Sequence, residues 1–124
     1  MPLFFKILAV VFCIPLFALG MRAMFTPGSI GEAMSIEPHG ALGASTIRSV
    51  IGGMFISCVA MLSIGVATTQ TLWLVAVAIV MCAIIIGRII GLALDGIDKG
   101  VIPPLIIELI IAGGLFAAHF SAST

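Results

Sequence analysis

The chain has 124 residues, 62% of them apolar and 8% charged, with a formal net charge of zero. Soluble domains carry about 25% charged residues, and one this small could not hide so much apolar surface. The composition excludes a soluble globular domain, and with no basic stripe it gives nucleic-acid binding no electrostatic footing.

A helix needs about 20 mostly apolar residues to cross a hydrocarbon core of about 30 Å. The first such segment covers about residues 3–25. Lys6, the apolar run and Ala18-Leu19-Gly20 have the outline of a signal peptide and its cleavage site. Met21, Ala23, Met24 and Phe25 carry the apolar character beyond that point, which predicts a retained helix. The link that follows, Thr26 to Ser45, is the longest. Ser29-Ile30-Gly31-Glu32 fits a capping box and predicts a short interfacial helix near residues 28–35. Gly28 and Gly31 leave an irregular loop as the alternative.

The second span covers about residues 43–67 and the third about residues 72–94. Thr68-Thr69-Gln70-Thr71 joins them, and so short a link forces an antiparallel helical hairpin. The next link, Asp95 to Pro104, is rich in Gly and Pro. Pro103 and Pro104 suit the first turn of a new helix, where a missing N–H costs nothing. The fourth span covers about residues 104–120. Cys13, Cys58 and Cys82 each lie in a different apolar run, outside any CxxC or Cys/His metal spacing, and read as small hydrophobes. The expected fold is all-α. It is one integral membrane domain over residues 1–124, a four-transmembrane-helix antiparallel bundle with a short interfacial helix or loop between helices one and two. Both termini then share one side of the membrane.

The charges gather at the other side. Arg22 ends span one, Arg48 opens span two, Arg88 lies on span three and Asp95 just past its end. Glu108 lies one turn into span four, and Glu32, Glu37, Asp98 and Lys99 fall in the links. Arg88 and Asp95, seven residues apart, share a helix face, with Arg88 roughly 10 Å deeper. A centrally placed Arg costs about 2.5–3.5 kcal/mol on insertion scales and normally has a partner. Glu108, about 6 Å inward from Pro104 on the antiparallel neighbour, is the best candidate, and Arg48 enters at a similar level. Snorkelling of the long side chains to the interface is the alternative, strongest for Arg22. For Glu108 the alternative is a structural ion pair. The expected polar cluster is Arg48, Arg88, Asp95 and Glu108, with Arg22 and Glu32 secondary. Gly52-Gly53, Gly87-x-x-x-Gly91 and Gly113-Gly114 predict close helix approach. His119 reads as interfacial, on the side opposite His39.

Arg48-Ser49-Val50-Ile51-Gly52-Gly53, then Gly87-Arg88 with Asp95-Gly96, then Glu108 after a proline turn, resemble a bacterial family of small four-helix membrane proteins. It is domain-of-unknown-function family 4345, in the DoxX-like neighbourhood, and the resemblance covers about residues 7–120. In that family an acidic residue often precedes the first arginine; here Ser45-Thr46-Ile47 stands there. The resemblance implies a bacterial inner-membrane location and lends no reaction.

No catalytic constellation, metal-ligand spacing or phosphate-cradling loop is present, and the sequence leaves any cofactor unknown. A proton pathway would want several spaced acids within the spans, where only Glu108 qualifies. Two readings remain. One is a binding site for an amphiphile (a quinone, an isoprenoid or a lipid), with Arg48 and Arg88 holding a carbonyl or phosphate and Phe55, Met54, Met81 and Cys82 as apolar lining. The other is an accessory or assembly subunit, with a membrane-protein partner or a second copy of the chain. A weaker third, an enzyme acting on a lipid or redox cofactor, rests on fold-level analogy alone.

Overall fold

The computed structural model describes residues 2–122; residues 1, 123 and 124 of the expected domain lie outside that description. Helix α1 spans Leu3–Phe25, α2 Pro27–Met34, α3 Gly40–Thr46, α4 Gly53–Thr68, α5 Leu72–Asp95 and α6 Ile102–Ala122. A π-helical turn, Ile47–Gly52, joins α3 to α4, and a 3₁₀ turn, Lys99–Val101, leads into α6. Among the described residues there is no strand. Among the described residues, four helical stretches are long and apolar enough to cross a membrane: Leu3–Phe25, Gly40–Thr68, Leu72–Asp95 and Lys99–Ser121.

These segments are helical because they are long apolar runs, and in a bilayer every backbone polar group must be satisfied within its own segment. Pro15 stands inside α1. It removes one backbone donor there, an interruption that membrane helices tolerate. The spans pack in a ring in chain order. α1 lies against α4 and the π turn, α4 against α5, α5 against α6, and α6 closes thinly back on α1. The core is built from one stripe of each span: Phe12 and Leu16, Phe55 and Leu62, Leu74 and Met81, Ile111 and Leu115. The opposite faces are apolar too. Ile14, Phe17, Ile79, Ile90, Leu94 and Ile110 are all exposed, as on helices that are hydrophobic all round.

Small residues set the tightest approaches, though at fewer positions than their spacing predicts. A Cβ on Gly52 would stand 2.7 Å from Met24 Cγ and 3.3 Å from the Gly20 carbonyl oxygen. One on Gly114 would stand 2.9 Å from the Phe12 ring. By contrast, Gly53, Gly87 and Gly113 face open space, and Gly91 would meet only Asp95 Oδ2, at 3.8 Å. The Gly87/Gly91 pair is therefore a bared face, not a helix seam.

The links also differ in detail from expectation. The second span begins at Gly40, three residues before its predicted start. The short helix between spans one and two forms, but it starts at Pro27 and not at the Ser29 capping box. Its N-cap is Thr26, with Pro27 in the first turn and no side-chain cap bond. Ser29 lies inside α2, and its hydroxyl accepts from Arg22 at 2.7 Å. The helix is seated by Ile30, fully buried with Ala23 of α1 and Ile47 of the π turn. At the α4–α5 hairpin, Thr69 takes a left-handed conformation with φ 55°. The Gln70 N–H then closes onto the Gly65 carbonyl at 3.1 Å.

Candidate functional site

Arg88 projects from the last third of α5, and Glu108 from the second turn of α6. The antiparallel packing of these two helices brings them together at the depth their positions require. Arg88 Nε donates to both carboxylate oxygens of Glu108, at 2.9 Å to Oε1 and 2.7 Å to Oε2. The side chains are 31% and 13% exposed, so the acid is the more enclosed partner. All of the bonding uses Nε. Among the described residues the terminal guanidinium nitrogens of Arg88 make no further hydrogen bond.

Arg88 belongs to the wall of an open cleft of about 510 Å³. Its apolar walls are Ile84, Leu92 and Val101. Its bared backbone comes from Gly87 and Gly91, and its acids are Asp95 and Asp98. The cleft exists because α5 presents Gly87 and Gly91 on the face of Arg88. It also exists because the chain turns away at Gly96 and runs through residues 96–98 before the 3₁₀ turn leads into α6. Gly96 makes that swing with φ 93°, a conformation open to glycine. Asp98 then caps the 3₁₀ turn, its Oδ1 accepting from the Gly100 N–H at 2.8 Å.

The predicted cluster is thus divided. Arg88 and Asp95 line the cleft, and Asp98, read from the sequence only as a link residue, joins them; Glu108 is bonded to Arg88 but is not one of the cleft's walls. Arg48 stands elsewhere: its guanidinium donates to the Met24 backbone carbonyl at the end of α1. It is exposed and is not part of the cleft wall. Arg22 holds Ser29, and Glu32 is exposed on α2. The predicted apolar lining is also displaced. Phe55 and Met81 are buried in the bundle core, with Met54 and Cys82 packed against it, while Ile84, Leu92 and Val101 line the cleft. At the far end, His119 Nδ1 lies 2.9 Å from Thr71 Oγ1, tying α6 to the hairpin. Among the described residues no three His, Cys, Asp or Glu side chains converge as metal ligands would.

Among the described residues, four apolar spans packed as an all-helical bundle define a small multi-pass integral membrane protein. The family model described as a domain of unknown function, DUF4345, matches residues 4–119, and the chain belongs to that family. No curated protein and no solved structure matches it.

Proposed function

We propose that this protein binds the polar end of a membrane amphiphile in the cleft beside Arg88. One observation carries the reading. Arg88 is one wall of an open cleft with apolar flanks, it is held by Glu108 through Nε alone, and its terminal N–H groups are unspent. A guanidinium fixed through Nε is oriented in advance, and its remaining donors suit a phosphate, carboxylate or carbonyl oxygen. Ile84, Leu92 and Val101 give an attached chain an apolar path. Glu108 acts as the positioning residue and Arg88 as the contact. By the family resemblance, the membrane is a bacterial inner membrane; four antiparallel spans put both termini on one side of it.

The test is solvent extraction of the detergent-purified protein, with the amphiphile per chain measured by mass spectrometry. Arg88→Ala is expected to lower the amount several-fold, and Arg22→Ala to leave it near the wild-type level. Equal amounts in all three proteins would defeat the reading.

A second reading, an accessory subunit of a larger membrane complex, is favoured by the outward-facing Gly53 and Gly113, which a Cβ would leave in open space and where a partner helix could approach closely. A single chain mass for the complex in mild detergent at native expression would count against it.

A further inference from the structure

We propose that the cleft selects a zwitterionic head group, an anionic group joined through a short linker to an ammonium, as in an aminophospholipid. This rests on the amphiphile-binding reading above and names the chemical class it takes.

The argument begins with the charge balance. Glu108 already matches Arg88, so Asp95 and Asp98 leave the cleft wall with two carboxylates in excess. Asp98 spends one oxygen on the Gly100 N–H. Among the described residues the Asp95 carboxylate makes no hydrogen bond or ion pair. Asp95 is also the last residue of α5, where no basic residue stands in the final turn. The end of a helix carries the negative pole of its dipole, so a carboxylate there is repelled unless a cation joins it. Gly96, which follows, forms no capping hydrogen bond, and the last carbonyls of the helix face the same direction.

Each simple alternative leaves part of this wall unsatisfied. A plain anion at Arg88 would meet two unmatched carboxylates. A plain cation at Asp95 would leave the Arg88 donors unspent. A quinone carbonyl would use Arg88 and ignore both acids. A head group with both signs answers the two ends together: its phosphate takes the terminal N–H groups of Arg88, and its ammonium takes Asp95, Asp98 and the carbonyl end of α5. The spacing permits it. The two residues lie on one face two turns apart, roughly 10 Å along the axis. Asp95 leans back over Gly91, its Oδ2 3.8 Å from where a Cβ would stand, and so shortens the interval. Between them the helix is bare at Gly91, leaving room for the linker.

The experiment is native mass spectrometry of the protein released from nanodiscs of phosphatidylethanolamine and phosphatidylglycerol in equal amounts with matched acyl chains. The wild type is expected to retain phosphatidylethanolamine over phosphatidylglycerol by about tenfold, the discrimination of one charge-assisted contact. Asp95→Asn, an exposed and isosteric change, is expected to retain lipid with that preference reduced to near parity. Equal retention of both lipids by the wild type, a preference for phosphatidylglycerol, or an unchanged preference in Asp95→Asn would overturn the head-group assignment while leaving amphiphile binding intact. A wild-type chain released bare of lipid would overturn both.

Discussion

Arg88 on α5 and Glu108 on α6 meet through a single nitrogen, Nε, which donates to both carboxylate oxygens at 2.9 and 2.7 Å. The pair locks the register of two antiparallel spans. Removing one member leaves its partner's charge uncompensated in a partly enclosed site. Breaking a fully buried pair costs about 3–5 kcal/mol; with Arg88 31% exposed, solvent screening reduces the expectation to about 1–3 kcal/mol. Arg88→Leu and Glu108→Leu should each lower stability in detergent by that amount. The double variant should be less damaged than the sum of the singles, since it leaves no orphaned charge. Chemical or thermal denaturation of the four proteins measures the coupling.

The glycines divide into two kinds, and substitution should separate them. Gly52→Ala places a methyl 2.7 Å from Met24 Cγ and 3.3 Å from the Gly20 carbonyl oxygen, where α1 meets the end of the π turn. Overpacking of this kind costs about 1–3 kcal/mol. Gly91→Ala meets only Asp95 Oδ2 at 3.8 Å and should be neutral or stabilising by up to about 1 kcal/mol, from improved helix propensity. Thermal melts of the two variants in one detergent are expected to move in opposite directions, or to fall only for Gly52→Ala.

Filling the cleft without touching a charge is the matching functional prediction. Gly91→Leu should fold with the wild-type helix content, because its side chain enters open volume. It should also release most of the bound amphiphile, because that volume lies between Arg88 and Asp95. Circular dichroism reports the first outcome, and lipid extraction the second. Full retention of amphiphile by a folded Gly91→Leu would place the ligand elsewhere.

The α4–α5 hairpin holds a β-branched residue in left-handed backbone: Thr69 has φ 55°. That conformation costs about 1–2 kcal/mol for a residue with a Cβ. Glycine returns part of the gain through its greater backbone entropy, about 0.5–1 kcal/mol. Thr69→Gly should therefore stabilise the protein by up to about 1 kcal/mol. A rise of a few degrees in the melting temperature is the expected signal.

The spans were legible because run length against bilayer thickness is a strong signal, and a four-residue link, Thr68 to Thr71, between two of them allows only a hairpin. The Arg88–Glu108 pairing was legible from depth alone. Both positions count inward from the same end of adjacent antiparallel helices, so a rise per residue is enough. Arg48 shows the limit of that counting. It has a comparable depth, but direction around the helix decides contact, and the π turn Ile47–Gly52 carries it to the Met24 carbonyl. Nothing in Ile47-Arg48-Ser49 marks such a widening. The missed start of α2 had a visible signal in Pro27, which suits a first helical turn. Ser29 does not cap the helix, because the helix has already begun at Pro27 and Ser29 lies inside it. The Gly87/Gly91 pattern was ambiguous in principle. Small residues four apart describe a helix seam and a bared groove equally well, and only the position of α6 distinguishes them. The acids of the cleft followed from the Gly96 swing, a backbone event the sequence hinted at only through Asp95-Gly96.

The central claim is that the cleft beside Arg88 is occupied. Native mass spectrometry of the wild type and Arg88→Ala, released from nanodiscs of native membrane lipid, tests it most directly. Glu108→Gln is a second variant, since it keeps a neutral partner in place. The account predicts a discrete small-molecule adduct on the wild type, absent from Arg88→Ala and weakened in Glu108→Gln. A bare wild-type chain, or the same adduct on all three proteins, would contradict it and leave the ion pair as a register lock alone.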